Sequence, residues 1–225
     1  MTLTARFRAW RQTLKASFRT DLSTPENRRR ARFYMLWYDH EFLRLPWTNF
    51  ARVAEGVFRS NHPPRKRLEA YKRRGIHTII SLRNNTDTPS LLENEACTEL
   101  GLTLIHMPLS ARSAPPRDRL LGLIELFERI EKPFVMHCKS GADRASLASA
   151  IYLLTQENAS VAEARKMLSP RFIHFKWTKT GILDHILDTY EARNAARPIA
   201  FGDWLEQEYD STALQAEFNA GRGYR

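Results

Sequence analysis

The 225-residue chain is long enough for one or two domains, and its 43% hydrophobic and 27% charged residues argue against disorder as its main state. Its 35 lysines and arginines exceed its 25 aspartates and glutamates, so its net charge of +10 favours acidic partners: nucleic acid, anionic lipid or phosphorylated substrates. Two cysteines, Cys97 and Cys138, are too few for a disulfide scaffold or a structural zinc site, so we expect a reducing, intracellular compartment. No apolar run reaches the roughly 18 residues that a transmembrane helix needs.

The basic charge is concentrated at the N-terminus. Residues 1–32 carry nine basic and two acidic residues, which is +7 of the total. Apolar residues recur there every three or four positions: Leu3, Phe7, Trp10, Leu14 and Phe18. This spacing predicts a basic amphipathic helix over residues 3–19, which either lies on a membrane or packs on its own domain.

An aromatic stretch follows between Phe33 and Phe50. We expect it to pack in the core or to dock the N-terminal segment. The alternative is that it extends a membrane-facing surface.

From residue 53 onwards the pattern alternates between strands and helices. Strands are predicted over 57–60, 78–82, 103–109 and 134–137, and helices over 65–74, 89–100, 117–130, 145–156, 161–168 and 181–195. This succession predicts an α/β fold, a mostly parallel central sheet flanked by helices.

The pattern also predicts three regions. Residues 1–52 form a basic and aromatic extension, residues 53–197 form the catalytic domain, and residues 198–225 form a C-terminal extension. Four apolar residues of this last region are expected on a docked helix: Trp204, Leu205, Tyr209 and Leu214.

One segment, residues 134–146 (FVMHCKSGADRAS), carries the chemistry. It combines a buried strand that ends in Cys138, a short loop that contains Gly141, and a helix that begins near Arg144. A loop entering a helix points several backbone N–H groups at one spot, where the helix dipole adds positive potential. A cysteine there becomes a thiolate nucleophile, and an arginine can hold two phosphate oxygens in line with its sulfur. The segment therefore predicts phosphoryl transfer through a cysteinyl-phosphate, with no metal and no cofactor.

His137-Cys-X5-Arg144 resembles the signature of the protein tyrosine and dual-specificity phosphatase superfamily. The resemblance implies that fold for residues 53 to about 195, with Cys138 as nucleophile and Arg144 as phosphate-binding arginine. It further implies that His137 orients the loop from behind. The phosphate would be cradled by the backbone of the loop: Lys139, Ser140, Gly141, Ala142, Asp143 and Arg144.

Two departures from the family pattern stand out. The residue after the arginine is usually Ser or Thr, whose hydroxyl assists release of the thiolate; here it is Ala145, so either Ser146 substitutes or hydrolysis of the intermediate is slow. The general acid of most relatives precedes the cysteine by about 30 residues, but residues 107–116 contain no carboxylate. We favour Asp143 as the acid, in the slot where myotubularin-like and Sac-like phosphoinositide phosphatases have an aspartate. Asp118 and a substrate-assisted route are the alternatives.

The sequence is compatible with more than one class of substrate and partner. Lys139, Asp143 and the basic N-terminus favour a phospholipid at a membrane surface, reached through residues 1–32 of a cytoplasmic protein on the inner membrane face. The alternatives are a protein tyrosine or dual-specificity phosphatase, and a pseudophosphatase that binds phosphorylated partners without turnover. No nucleic-acid partner is expected, although RNA 5′-triphosphatases share the cysteine motif.

Minor candidates complete the analysis. Arg59 and Ser60 are expected near the pocket, and His174 and Lys176 on a loop at its border. The pair Asp39-His40 is expected to be structural, since adjacent helical residues point apart.

Overall fold

Five strands form the central sheet of the computed structural model, which describes residue 13 and residues 21–222. They are β1 (Ala51–Ala54), β2 (Val57–Asn61), β3 (Thr78–Ser81), β4 (Thr103–His106) and β5 (Phe134–Cys138). Their order is β1-β2-β5-β3-β4, with β1 antiparallel to β2 and every other pair parallel. This confirms the predicted α/β fold with a mostly parallel sheet, and it places β5 at the centre.

The described helices follow in chain order. They are α1 (Pro25–Phe33), α2 (Glu41–Arg44), α3 (Arg65–Arg73), α4 (Thr88–Leu100), α5 (Arg117–Arg129), α6 (Asp143–Gln156), α7 (Val161–Arg165), α8 (Ile182–Ala196), α9 (Phe201–Gln207) and α10 (Ser211–Arg222). A π-helical turn spans Tyr34–Tyr38, and 3₁₀ turns span Pro170–Phe172 and Lys179–Gly181. None of the helices within residues 21–222 has the length and apolarity needed to cross a bilayer.

Predicted bounds differ from the observed ones mainly at element ends. The strand predicted over 103–109 ends at His106. Beyond it, at the end of β3, Met107 N still donates to the Ser81 carbonyl (2.9 Å) and Leu109 N to the Leu82 carbonyl (3.4 Å). The helix predicted over 161–168 ends at Arg165 and continues as tight turns. Helix α6 begins at Asp143, two residues earlier than predicted, which places Asp143 in its first turn.

Both faces of the sheet are covered by apolar layers, because successive residues of β5 point to opposite sides. Phe134 and Met136 face the larger layer, which α5, α6 and α8 cover, whereas Val135 faces the smaller one, beneath α3 and α4. Cys97 is buried in the smaller layer, where burial raises the pKa of its thiol to about 12. Cys97 is therefore a core residue of this layer.

The C-terminal region packs against the larger layer. Trp204, Leu205, Tyr209 and Leu214 are all buried there, but not on one helix: Trp204 and Leu205 lie on α9, Leu214 lies on α10, and Tyr209 lies between the two. The Tyr209 hydroxyl donates to the Pro115 carbonyl over 2.7 Å, which fixes the chain before α5.

The N-terminal expectations have a mixed outcome. The helix predicted over residues 3–19 lies outside the described residues, except for residue 13. The expectation that the aromatic stretch packs in the core is wrong for most of its side chains: Phe33, Trp37, Tyr38, Phe42 and Trp47 are each at least 38% exposed. Its attachment to the domain is largely polar instead.

Asp39 makes this polar attachment. Its side chain is only 6% exposed and accepts hydrogen bonds from Arg83 Nη1 (2.9 Å) and Arg44 Nη2 (2.8 Å), and Lys139 Nζ lies 3.2 Å away. Burial alone would raise the pKa of Asp39, but the hydrogen bonds and charge of Arg83, with the charges of Arg44 and Lys139, lower it to about 2. Asp39 is thus structural, as predicted, and it is charged at neutral pH.

We expect Asp39→Asn to lower the free energy of unfolding by about 3–5 kcal/mol, because it removes the carboxylate that pairs with the buried guanidinium groups of Arg44 and Arg83 and leaves Arg83 only the partly exposed Asp87 (3.0 Å). The folded-state pKa is depressed, so this stabilisation is present above the unfolded pKa of 3.8 and is lost as the pH falls through about 2. Urea unfolding at neutral pH measures the effect. Asp118→Asn is the control, since its side chain is 78% exposed; equal stabilities of the two variants would contradict the assignment.

Candidate active site

The predicted catalytic segment lies at the carboxyl end of the central strand. Cys138 is the last residue of β5 and is 2% exposed, and Asp143 and Arg144 open α6 after four intervening residues. The strand–loop–helix arrangement and the position of Arg144 at the head of the helix are as expected from the sequence.

The loop is held by its carbonyl groups, which turn towards the protein interior. The carbonyl oxygens of residues 139–142 accept from His62 N (3.2 Å, on residue 139), Asn49 Nδ2 (3.2 Å, on residue 140) and Arg59 Nη2 (on residue 141, and at 3.5 Å on residue 142). In a planar trans peptide the N–H group points opposite to the preceding carbonyl. The amides of residues 140–143 therefore face away from the interior, as an anion cradle at a helix N-terminus requires.

Gly141 is required by close packing. Its φ is +71°, and a Cβ atom there would lie 2.8 Å from both Asn61 N and the Ser60 carbonyl oxygen. No side chain fits that approach, so the loop can lie directly on the end of β2 only with glycine at this position.

Arg59 is the buried centre of the arrangement. Its guanidinium, on β2, donates to the Gly141 carbonyl and to Ser146 Oγ (2.9 Å) and lies 3.8 Å from the centre of the Phe172 ring. Burial lowers its pKa to about 10, which leaves it charged at neutral pH. The sequence predicted that Arg59 and Ser60 lie near the pocket. Arg59 lies behind the loop. The Ser60 hydroxyl hydrogen-bonds the Thr48 and Asn61 carbonyls.

His137 also lies behind the loop. It is fully buried, with Nδ1 3.4 Å from the Cys138 carbonyl oxygen and Nε2 2.6 Å from Glu93 Oε1. Ser81 Oγ donates to the other Glu93 oxygen over 3.2 Å. The sequence analysis missed Glu93, although an acidic residue on the same helical face as Ala96 and Cys97 was a usable signal.

Among residues 21–222, one cluster offers the donor atoms for a metal ion: His62, Glu93 and His137, all buried, with donor atoms within 4.8 Å of one another. Two ligands on a tetrahedral zinc ion lie about 3.3 Å apart. The 2.6 Å between His137 Nε2 and Glu93 Oε1 is shorter than that, so these two atoms cannot both be ligands of one such ion in this arrangement. We therefore regard the cluster as a support for the end of β5.

A wide cavity of about 690 Å³ opens in front of the loop. Four cationic side chains line it, Arg112, Arg119, Lys139 and Arg144, and Asp143 is the single carboxylate among its lining residues. Arg144 Nη1 donates to the Leu82 carbonyl over 3.1 Å, which fixes one edge of its guanidinium. The cavity can therefore bind a strongly anionic group.

The two carboxylates considered as acid occupy different surroundings. Asp118 lies in the first turn of α5, is 78% exposed, points towards Arg119 (3.9 Å) and does not line the cavity. Asp143 lines the cavity and is 24% exposed. Its Oδ1 lies 2.9 Å from His174 Nδ1, and the other ring nitrogen, Nε2, lies 2.7 Å from Asp184 Oδ2.

The remaining expected residues have clear positions. Ser146 is fully buried; it donates to the Ala142 carbonyl and accepts from Arg59, so its hydroxyl is used behind the loop. His174 borders the site as expected, whereas Lys176 does not line the cavity. The sequence analysis missed Asp184. It lies ten residues beyond His174, on α8, and only the folding of the chain brings the two side chains together.

Comparisons with known proteins agree with this geometry. A family model described as DSP-PTPase phosphatase fused to NAD+ kinase matches residues 55–180. TpbA from P. aeruginosa is 16% identical and has a TM-score of 0.51 over 76% of this chain and 91% of its own. A DUF442 protein from Shewanella putrefaciens CN-32 is 17% identical, also with a TM-score of 0.51, over 68% of this chain and 97% of its own. These structures are similar in fold, and a search of curated proteins found no match.

The matched family region covers more than half of the chain and contains β2, β5, the loop and α6. The chain therefore belongs to the family described as DSP-PTPase phosphatase fused to NAD+ kinase, and it is a phosphatase, a phosphoric monoester hydrolase.

Proposed function

We propose that the chain hydrolyses phosphomonoesters through a cysteinyl-phosphate on Cys138. The observation that carries this proposal is the loop whose carbonyls are held inwards beneath a cavity lined by Lys139, Asp143 and Arg144. The loop amides and Arg144 bind the phosphate oxygens, and the helix N-terminus favours the thiolate. Binding and nucleophilic attack thus use the same few residues.

The reaction has two balanced steps. First, Cys138 Sγ forms a bond to phosphorus, the bond to the leaving oxygen breaks with its electron pair, and Asp143 gives that oxygen its proton. Second, a water oxygen attacks phosphorus, the electron pair of the S–P bond returns to sulfur, and the Asp143 carboxylate takes the water proton. Asp143 is therefore acid in one step and base in the next.

Replacement of Cys138 by serine should abolish phosphate release and the phosphoenzyme trapped by acid quench. Asp143→Asn should lower kcat by about 10²- to 10⁴-fold, the usual contribution of a general acid–base group. Initial-rate kinetics on an aryl phosphate measure both. Asp118→Asn is the matched control and should keep its rate; full activity of the Cys138→Ser protein would overturn the mechanism.

We further propose that the substrate is a phospholipid at a membrane surface. An apolar cavity of about 270 Å³ adjoins the cationic one and shares Lys139 and Ser140 with it. Its other lining includes Leu43, Trp47 and Ile173. Neighbouring cationic and apolar spaces suit an amphiphile with a phosphorylated headgroup.

An exposed apolar patch (Trp37, Phe42, Leu43 and Trp47) supports the same proposal. These side chains are 39–58% exposed, and the rings of Trp37 and Phe42 lie 5.6 Å apart. Helix α1, just before the patch, carries four arginines and one glutamate. Apolar side chains beside basic ones are typical of a surface that binds anionic lipid. The membrane-facing alternative for the aromatic stretch is thus retained, for a cytoplasmic protein bound to the inner membrane face through this patch and residues 1–32.

The alternatives are protein phosphatase activity and phosphate binding without turnover. TpbA has been solved in complex with pTyr, which favours a phosphotyrosine substrate as the second candidate. Within either alternative we retain the proposed division into a phosphatase domain at 53–197, extended by residues 1–52 and 198–225.

The substrate is tested with phosphatidic acid in phosphatidylcholine vesicles and, in parallel, with a soluble phosphotyrosine peptide. The double variant Trp37→Ser, Phe42→Ser should lower the rate on vesicles at least about tenfold, because it loses the burial of two large apolar side chains. Its rate on a soluble aryl phosphate should be unchanged.

Trp177→Ser is the matched control, since Trp177 is 63% exposed and lies outside the patch. Release from the peptide but not from vesicles would replace the lipid proposal by the protein phosphatase. Binding of both without release would indicate a pseudophosphatase.

A further inference from the structure

His174 is a buried histidine held between two carboxylates. It is 1% exposed and follows Ile173, whose φ of 62° turns the chain back towards the catalytic loop. Its Nδ1 lies 2.9 Å from Asp143 Oδ1 and its Nε2 lies 2.7 Å from Asp184 Oδ2. Asp184 is itself buried, in the first turn of α8.

Two carboxylate partners require two donors. A neutral imidazole has one N–H group, so only the imidazolium can donate to both aspartates. Burial lowers the pKa of His174, but the hydrogen bonds with Asp143 and Asp184 outweigh it and raise this pKa to about 9. At neutral pH His174 therefore carries both protons and can donate to Asp143 and to Asp184.

Other charges also face Asp143. Arg59 acts on it from behind the loop, from β2. Arg112 and Lys179 line a second cavity together with Asp143, and Arg144 and Lys139 line the main one. His174 Nδ1 lies within hydrogen-bond distance of the Asp143 carboxylate itself.

We propose that His174, paired with Asp184, is the positioning residue that holds the Asp143 carboxyl group in place to take the proton of the water that hydrolyses the cysteinyl-phosphate. The inference rests on the role of Asp143 given above. The imidazolium keeps its two protons throughout, and only the proton of the attacking water moves, to Asp143.

The local sequence gives this arrangement a reason. Ala145 lacks the hydroxyl that would assist the departing thiolate, and the Ser146 hydroxyl is used by Ala142 and Arg59. Activation of the water is the remaining way to speed the second step. A base held in place by a hydrogen bond from His174 supplies it, because its orientation is already fixed before the water attacks.

The test uses His174→Asn, whose amide keeps a donor near the Nδ1 position but carries no charge, and Asp184→Asn, which removes the counter-ion of the imidazolium. An aryl phosphate with a good leaving group makes the second step rate-limiting. Both variants should lower kcat at least about tenfold while the rate of the initial burst, which reports phosphorylation of Cys138, stays unchanged, because a displaced base slows only the step that it serves. His185→Asn is the control, since His185 pairs only with the exposed Glu217 (3.6 Å).

The outcomes are distinguishable. An equal loss of the burst rate and of kcat in both variants would reduce His174 to a structural contact, and an unchanged kcat in both would show that Asp143 does not depend on it; either result would overturn the inference. Asp143→Asn with wild-type kinetics would overturn the role of Asp143 instead, and with it the basis of this inference. If His174→Asn fails to fold, Asp184→Asn alone decides, because it leaves the imidazole in place.

Discussion

The buried guanidinium of Arg59 is the interaction on which the rest of the site depends. One planar group bonds the Gly141 and Ala142 carbonyls and the Ser146 hydroxyl, and it stacks on Phe172. By holding these carbonyls inwards it turns the following amides, those of Ala142 and Asp143, outwards towards an anion, although Ala142 N also donates to Ser140 Oγ over 3.4 Å. A charge can remain in such a place only because several acceptors surround it.

A second regularity concerns the carboxylates behind the loop. Asp39 pairs with Lys139 and Arg83, Glu93 lies against His137, and Asp184 lies against His174. Each contacts a residue that is part of the loop or touches it. The cradle in front therefore collects positive charge for the substrate, while negative charge behind it keeps the supporting side chains in one orientation.

A feature could be predicted from the sequence when its residues lie close together along the chain. The strand, loop and helix around Cys138 are written in thirteen consecutive residues, so Cys138, Arg144 and Asp143 could be found without a structure. The partners of these residues could not: Asp39, Glu93 and Asp184 come from three distant helical segments and meet the loop only through the sheet order. The aromatic stretch was misjudged because apolar residues usually indicate a core, whereas here the ion pairs of buried Asp39 help to attach the segment while most of its rings stay exposed.

The ion pair between Asp39 and Lys139 affects whether the phosphatase domain can be transferred to another protein without a change in its site. The family match begins at residue 55. Asp39, which pairs with Lys139, the residue after Cys138, lies sixteen positions before that start. Transplanting residues 53–197 into another protein would move the signature but leave Arg83 and Lys139 without their shared counter-ion. Kinetics measured on such a fragment would therefore describe a different electrostatic environment, and members of the family with another N-terminal segment need not share the charge of this pocket.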